Sequence, residues 1–258
     1  MKYVSVAEAR EMDGLRVALT VQAPGTWAIS ARAVLNLRNV PFTPVRQDMM
    51  QPNEELLAWT GRRNSPVAVY NDEPAIDGWL DIVNLAERLG SGASLFPEDY
   101  ADRALAIGFS AEICAHNGFG WARRNLMSPP MPPEMEATPQ GQIMCAYGAK
   151  GDTLERAMAR SVQVMRGLAR QLDRQRAAGS PYLVGSRLSL CDVHWACFSI
   201  LVSPLAQEDC AINDQLRAMF EGLSDAEREA LDPILIGHRD MVWRDHIGLP
   251  LEYLPDDD

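Results

Sequence analysis

The chain has 258 residues, of which 47% are hydrophobic and 23% charged, a balance typical of a globular protein with an apolar core. Its formal net charge of -11 argues against a nucleic-acid or anionic-membrane partner, because both attract basic surfaces. The first residues have no apolar core of the kind found in signal peptides, and no run approaches the ~20 apolar residues that cross a bilayer. Five scattered cysteines favour reduced thiols and a cytoplasmic protein.

The first part of the chain alternates strand and helix patterns. The predicted elements are a buried strand over 15–22, a helix over 27–38, a strand over 41–48, a helix over 53–61, a hairpin over 66–76 and a helix over 79–90. Pro44 places the second strand at an edge of the sheet, because proline has no N–H to donate. The order β-α-β-α-β-β-α predicts a small α/β domain over residues 1–92.

The second part of the chain reads as helical. Residues 90–101 are rich in Gly, Ser and Pro and predict a domain boundary. Beyond them, helices are predicted over 102–118, 153–179, 190–202 and 233–246, with a capping box at Ser224 and Glu227. A proline-rich segment at 128–142 is expected to be non-helical. The sequence therefore predicts an all-helical second domain over residues 100–258.

Two stretches resemble the glutathione transferase superfamily. The stretch "NSPVAVYNDEPAIDGWLDIVNLAERL" resembles that superfamily's Val-Pro strand, hairpin and following helix. The stretch "PYLVGSRLSLCDVHWA" is similar to its "YLxGxxLSxAD" signature. The resemblance implies a thioredoxin-like N-terminal domain, an all-α C-terminal domain, glutathione as cofactor, a small-molecule substrate and a homodimer.

The second motif has a structural explanation in its own residues. Ser189 stands at a helix start, and Asp192 three residues later can accept a hydrogen bond from the backbone of the capping residue. Because this helix is expected to be buried, water cannot replace that cap. We therefore predict that Ser189 and Asp192 serve folding rather than catalysis.

The first motif implies a ligand-binding loop. In thioredoxin-like folds the proline before this strand is cis, and the residue before it pairs with a peptide-like ligand. The resemblance thus implies a cis bond at Pro66 and a pairing role for Ser65. Arg62 and Arg63 precede this loop, and either is a candidate contact for a ligand carboxylate, although adjacent arginines are also common on solvated surfaces.

The turn "APGTWAIS", residues 23–30, stands where the family's catalytic Ser, Cys or Tyr is expected. It resembles the "SPGACS" loop of beta-class transferases, with Trp27 at the position of their cysteine. Gly25 and Trp27 are thus implied to contact glutathione. Thr26 carries the hydroxyl of this turn. It is interpreted either as a catalytic donor to the ligand's thiol, aided by the helix dipole, or as the helix N-cap.

The sequence departs from the family before the predicted helix at 79–90. Members usually have Glu/Gln-Ser there to bind the γ-glutamyl end of glutathione, whereas this chain has Gly78 and Trp79. Asp77 is a candidate substitute for the carboxylate, and the three residues are predicted to lie at the glutathione site. Trp79 also heads an apolar stripe, so core packing is the alternative interpretation.

The first helix of the second domain is expected to form the opposite wall. Its end bears His116, Asn117, Trp121 and Arg124, a mixture suited to an aromatic or acidic ligand or to interdomain packing. No metal site is predicted, because the Cys/His pairs lack further ligands at useful spacing. Two functions follow as alternatives: a glutathione transferase-like enzyme acting on a small aromatic electrophile, or a binding or structural protein that has lost glutathione chemistry.

Overall fold

The N-terminal part is built on a three-stranded sheet of order β2-β1-β3. The structure is a computed structural model that describes residues 1–128, 131–146 and 154–255. The elements are α1 Val6–Arg10, β1 Leu15–Thr20, α2 Thr26–Leu37, β2 Thr43–Gln47, α3 Glu54–Thr60, β3 Val67–Tyr70 and α4 Trp79–Leu89. The central strand β1 is parallel to β2 and antiparallel to β3, and all six of its residues are buried, as its apolar sequence predicts.

The two edges of this sheet are short. Strand β2 lies at an edge of the sheet, as predicted from Pro44. The N-terminal segment covers this edge, since the N–H of Val4 donates to the carbonyl of Pro44 over 3.0 Å. On the β3 side, Ala68 and Ile76 exchange two backbone hydrogen bonds as an isolated pair. The return predicted for the hairpin is thus present as this single antiparallel pair, and Pro74, which has no N–H, keeps it from extending toward Tyr70.

From residue 100 onward the described chain contains helices and no strand. These helices are α5 Tyr100–Cys114, α6 Phe119–Met127, α7 Pro139–Ala146, α8 Leu154–Ala177, α9 Leu190–Phe198, α10 Asp214–Glu221, α11 Asp225–Ala230 and α12 Pro233–Val242. Every residue of α9 is buried, as its apolar sequence predicts. Short 3-10 turns lie at Pro133–Met135 and Ser199–Leu201, and a π-helical turn lies at Trp243–Ile247.

The proline-rich segment contains more helix than the sequence predicted. Helix α7 begins at Pro139, inside residues 128–142, because proline is tolerated at the first position of a helix, where its N–H is not needed. Residues 129 and 130 of this segment lie outside the described residues. The structure also adds α1 and α10, which the sequence analysis did not predict. The helix predicted over 102–118 ends at Cys114, so Trp121 and Arg124 lie on a separate helix, α6, and not at the end of the first helix of this part.

The two parts of the chain pack against each other through α2 and α9, and one apolar core includes residues of both. The segment between α4 and α5 is held against the end of α2, since the N–H groups of Ser91 and Gly92 both donate to the carbonyl of Arg38. In the described part of the chain, no helix combines the length and the hydropathy that a bilayer-spanning segment requires. The packing leaves one face of the α2 N-terminus beside a cleft.

Candidate functional site

A cleft of about 610 Å³ lies between the sheet-bearing part and the helical part. Its sheet-side lining includes Trp27, Arg63, Ser65, Pro66, Asp77, Gly78 and Trp79. Its helical-side lining includes His116, Trp121 and Arg124. These ten predicted site residues are thus brought together, whereas Gly25, Thr26 and Asn117 are not among the lining residues that the structure describes. The indole rings border the cleft without filling it.

The loop before β3 presents free backbone groups. The Ser65–Pro66 peptide bond is cis, which confirms the prediction, and Ser65 lines the cleft while Pro66 is buried. Among the described residues, the backbone N–H and C=O of Ser65 have no hydrogen-bond partner. An extended peptide beside this loop could therefore supply one acceptor and one donor to Ser65.

A chain of hydrogen bonds through three side chains, which the sequence analysis did not predict, lies behind the loop. The side-chain N–H₂ of Gln47 donates to the carbonyls of Asp48 and Arg63, over 2.9 and 3.2 Å, and its oxygen acts as an acceptor. Thr20, at the end of β1, donates to that oxygen over 2.8 Å. Because Thr20 has one hydroxyl proton, Ser65 must donate across their 2.5 Å contact. The Ser65 oxygen is left as an acceptor.

Thr26 does not occupy either predicted role in this geometry. Helix α2 begins at Thr26 and its N-cap is Gly25, so the N-cap interpretation of Thr26 was wrong. The residue is 2% exposed, and its hydroxyl oxygen is buried with no partner among the described residues. An oxygen that water cannot reach is also out of reach of a ligand's sulfur. The geometry therefore does not support the catalytic interpretation.

Trp27 is fixed by its neighbours. Its indole N–H donates to the carbonyl of Cys114 over 3.1 Å, so it is not available to a ligand. The Trp27 ring meets Phe198 edge-on with centroids 4.8 Å apart and meets Trp121 in the same way at 5.4 Å. Trp27 therefore contributes an apolar ring to the cleft and ties α2 to the helical part.

The residues before α4 form a second border of the cleft. Asp77 is paired with Arg62, with Oδ2 and Nε 2.5 Å apart, and Gly78 is the N-cap of α4. Trp79 lines the cleft and also meets His194 edge-on at 5.5 Å. Trp79 thus packs in the interior and borders the cleft at the same time. The Asp77 carboxylate is already neutralised within the protein.

Arg63 stands apart from this pair. It is half-buried in the cleft wall, and among the described residues its guanidinium has no hydrogen-bond or ion-pair partner. A half-buried cation without a counter-ion is a natural contact for a ligand carboxylate.

The helical wall carries stacked rings. His116 lies on Trp121 with centroids 4.9 Å apart and an angle of 28° between the planes. The guanidinium of Arg124 lies over the same indole at 5.2 Å and over Trp27 at 5.0 Å. Asn117 is exposed and is not part of the cleft lining, and its backbone carbonyl accepts a hydrogen bond from Arg160 over 2.5 Å.

Ser189 and Asp192 lie in the helical core. Asp192 Oδ2 accepts from the backbone N–H and the hydroxyl of Ser189, over 2.9 and 2.8 Å. Its Oδ1 accepts from the N–H of Leu183 over 2.7 Å and lies 2.8 Å from Nε2 of His238. Both oxygens are buried, and this is the geometry expected of a structural role. The sequence analysis did not anticipate Leu183 or His238.

Burial keeps the thiols of Cys114 and Cys210 protonated at neutral pH. It raises the pKa of Cys114, which borders the cleft, well above the usual value, and it raises the pKa of Cys210 to about 11. Burial also lowers the pKa of His194, behind Trp79, to about 3, so this imidazole is neutral at pH 7. Neither Cys114 nor His194 is poised to act as a nucleophile or an acid at neutral pH.

Comparison with known proteins gives the fold. No protein-family model and no curated protein matches the sequence. The glutathione S-transferase from Methylobacillus flagellatus KT, solved with glutathione bound, is 17% identical, with a TM-score of 0.63 over 94% of this chain and 100% of that chain. The glutathione transferase Omega 3C from Trametes versicolor is 15% identical, with a TM-score of 0.59 over 98% and 94%. The beta-etherase LigF from Sphingobium sp. strain SYK-6 is 17% identical, with a TM-score of 0.55 over 84% and 98%.

These likenesses cover nearly the whole chain. The protein therefore has the fold of these glutathione transferase structures, which confirms the predicted fold class. At these identities the likeness concerns the fold. The chemistry of the cleft has to be argued from the residues that line it.

Proposed function

We propose that the protein is a glutathione transferase-like enzyme that uses glutathione on a small aromatic electrophile, by conjugation, ether cleavage or isomerisation. One observation supports this most: the backbone of Ser65 and the guanidinium of Arg63, both without a partner in the described part of the chain, border the same cleft. Two of the structural neighbours were crystallised with glutathione or glutathione sulfonate. The neighbour from Sphingobium is a beta-etherase.

The residues present fit a tripeptide. Its central peptide unit would pair with the N–H and C=O of Ser65, one of its carboxylates would bind Arg63, and its amino-acid end would meet the Arg62–Asp77 pair. That ion pair offers a cation and an anion side by side, which suits a group that carries both an ammonium and a carboxylate. The cleft's 610 Å³ lies within the range of small-molecule sites.

Glutathione supplies a thiolate nucleophile when bound. The chain's own contribution is electrostatic, because the positive end of α2 favours a negative sulfur. The Ser65 oxygen, whose proton points to Thr20, is suited to accept a hydrogen bond from the ligand. The rings of Trp27, Trp79 and Trp121 exclude water from the reacting atoms.

Calorimetric titration with glutathione tests this proposal. We expect saturable binding to the wild type and a loss of about tenfold in affinity for Arg63→Gln, since a charge-assisted hydrogen bond contributes about that factor. Arg88→Gln is the matched control, because Arg88 lies outside the cleft and is paired with Glu73 at 2.5 Å. Absence of binding to the wild type would contradict the proposal.

The alternative is a binding protein without catalysis. It is favoured by two observations: the Trp27 N–H is occupied, and Asp77 is neutralised by Arg62. Turnover of an activated aryl halide in the presence of glutathione separates the two functions. Glutathione binding with no C–S bond formation would favour the alternative.

The proposal includes a homodimer in the cytoplasm. The described cysteines are all free thiols, which fits a reducing compartment. Light scattering on a size-exclusion column tests the assembly, and a mass of one chain at micromolar concentration would contradict it.

A further inference from the structure

The ionisable side chains that line the cleft differ in whether they can exchange a proton near neutral pH. The three arginines stay protonated, and the Asp77 carboxylate is held by Arg62 as an ion pair at 2.5 Å. Burial raises the pKa of Cys114 well above the usual value, so this thiol keeps its proton. His116 supplies an imidazole, the side-chain group that ordinarily exchanges a proton near neutral pH. Within the described lining, His116 is therefore the candidate for proton transfer.

The imidazole of His116 is held by its face and open at its edge. The ring is stacked on Trp121, with centroids 4.9 Å apart and an angle of 28° between the planes. His116 is exposed, and in the described part of the chain no hydrogen bond or ion pair involves its ring nitrogens. Stacking fixes the plane of the ring, while Nδ1 and Nε2 lie at its edge and are available to a ligand.

The backbone places this ring near the start of α2. His116 lies in the turn between α5 and α6, which is closed by a hydrogen bond from the N–H of Gly118 to the carbonyl of Ala115 over 2.7 Å. Two residues before His116, the carbonyl of Cys114 accepts the indole N–H of Trp27, the second residue of α2, over 3.1 Å. Because two residues span at most about 7 Å, His116 lies close to the first turn of α2 and borders the same cleft.

The charged groups around the imidazole come from several elements. Glu112, one turn earlier on α5, lies 2.9 Å from Arg160 of α8, which also bonds the backbone of the residue after His116. Arg124 of α6 lies over the indole on which the imidazole stacks, at 5.2 Å, and the sheet-side arginines and Asp77 line the opposite wall. Among the described residues, no carboxylate forms an ion pair with His116, so no salt bridge holds a proton on its ring.

We infer that His116 is the proton-transfer residue of this cleft, which accepts the thiol proton of bound glutathione on a ring nitrogen and later returns it. This inference rests on the proposed function, in which glutathione binds along Ser65 with its sulfur near the start of α2. An imidazole beside a thiol is a common arrangement for generating a thiolate, because the imidazolium that forms stabilises the negative sulfur.

The step balances for conjugation and for ether cleavage. His116 takes the proton from the S–H bond, and the sulfur keeps the electron pair. That pair forms the C–S bond with the electrophile, while the bond from the same carbon to its leaving halide or oxygen breaks and the leaving group takes its electrons. His116 then returns the proton to the leaving oxygen, or to water where a halide leaves.

The ultraviolet absorbance band of a thiolate, recorded on the glutathione complex of the full chain, tests the inference without turnover. The variant is His116→Phe, which keeps a flat ring on Trp121 but cannot hold a proton. We expect the thiolate band in the wild-type complex at neutral pH and its loss in His116→Phe. Turnover of an activated aryl halide should fall by about 100-fold or more, since general acid–base catalysis contributes about that factor.

Binding of S-methylglutathione separates proton transfer from ligand binding. This compound has no thiol proton and carries the same thioether as a conjugation product. We therefore expect the wild type and His116→Phe to bind it with the same affinity in calorimetry. Loss of S-methylglutathione binding in His116→Phe would overturn the inference, because the residue would then act in binding.

His246→Phe is the matched control. The ring of His246 packs on Tyr182, and His246 is not among the described residues that line the cleft. The variant should keep both the thiolate band and the turnover of the wild type. An equal loss of the band in His246→Phe and His116→Phe would overturn the inference, because a ring outside the cleft cannot take the proton.

The outcomes separate this inference from the proposed function. If glutathione binds but the thiolate band survives in His116→Phe, or is absent from the wild-type complex, the inference fails and the proposed function stands. If the wild type fails to bind glutathione or S-methylglutathione, the proposed function fails, and the inference that depends on it fails too.

Discussion

Asp192 shows how a single side chain can hold several segments of the helical part. Its carboxylate reaches Ser189 at the start of α9, the backbone of Leu183 and the ring of His238 on α12. All of these contacts are buried, so no water replaces a lost partner. Asp192→Ala is expected to lower the free energy of unfolding by about 3 to 5 kcal/mol, measured by urea denaturation.

An exposed aspartate in the first turn of another helix is the control for Asp192→Ala. Asp225 begins α11 and is paired with Arg228 at 3.2 Å in full contact with solvent. Asp225→Ala should leave the urea midpoint nearly unchanged, because exposed ion pairs contribute little. Equal losses in the two variants would contradict the structural role of Asp192.

Thr26 provides a second prediction at the scale of one residue. Its buried hydroxyl has no partner among the described residues, and leaving such a group unpaired costs about 1 to 3 kcal/mol. Thr26→Val keeps the shape and removes the hydroxyl. We expect the variant to be at least as stable as the wild type, with the same affinity for glutathione in calorimetry. A loss of glutathione affinity or turnover would restore the catalytic interpretation of Thr26.

His194 makes stability depend on pH. Burial lowers its pKa from 6.5 to about 3, so the unfolded chain takes up a proton below pH 6.5 that the folded chain does not. The free energy of unfolding should therefore fall as pH decreases through this range, by up to about 1.4 kcal/mol per pH unit from this residue. His194→Gln should reduce the slope between about pH 7 and pH 5 by that amount in urea denaturation. An unchanged slope would contradict the assignment.

At the scale of single residues, the sequence predicted which residues line the site better than it predicted which residues contact one another. The cis bond at Pro66 and ten of the residues that line the cleft were predicted, seven of the ten from stretches that resemble a family and three from the composition of the helical wall. The sequence did not predict the hydrogen bond between Thr20 and Ser65 or the ion pair between Arg62 and Asp77. Each of these contacts joins residues at least fifteen positions apart whose meeting depends on the whole sheet, and no local pattern encodes it.

At the scale of elements, the close approach of α6 to its neighbours depends on a glycine. A Cβ at Gly120 would lie 2.4 Å from the Phe198 ring and 3.0 Å from the Trp27 ring. Gly120→Ala is therefore expected to destabilise the protein by about 1 to 3 kcal/mol and to weaken ligand binding through displacement of Trp27. Urea denaturation and glutathione calorimetry measure the two effects.

A second helical glycine serves as the matched control. A Cβ at Gly167, in the middle of α8, would have no neighbour within 4 Å. Gly167→Ala should raise stability by about 0.5 to 1 kcal/mol, because alanine favours the helix. If Gly120→Ala were also stabilising, the tight contact among α6, Phe198 and Trp27 would be wrong.

Elements with strong periodicity were predicted well, and short ones were not. Helix α8, with its long apolar face, lies within two residues of the predicted ends. Helix α1 begins with a capping box at Ser5 and Glu8, a signal that was present and not used. Helix α10 depends on an Asn213 cap and the burial of Phe220, and only packing makes such a short helix stable.

At the scale of the whole molecule, the two ends of the described chain meet. The hydroxyl of Tyr3 donates to the carbonyl of Tyr253 over 2.9 Å, and Arg32 on α2 lies 3.7 Å from the carboxylate of Glu252. The N–H of Leu251 donates to the carbonyl of Asp209. The C-terminal segment thus links α2 of the sheet-bearing part with the helical part. Because α2 begins beside the cleft, this link helps to fix the cleft's shape.

The order of elements predicted the two-part architecture, since alternating strand and helix patterns give way to helices alone near residue 100. The position of the cleft followed from the resemblance of two motifs. The set of side chains that line it did not, because Arg63 and Arg124 come from different parts of the chain and border one cleft only in the folded molecule. The whole account thus depends on a peptide ligand that pairs with the loop at Ser65.

The most direct test is a crystal structure of the protein grown with glutathione. The account predicts that the cysteinyl unit of the tripeptide pairs with the backbone N–H and C=O of Ser65, with its sulfur beside the N-terminus of α2 and a carboxylate on Arg63. Glutathione bound elsewhere, or a cleft that stays free of it at saturating concentration, would contradict the account.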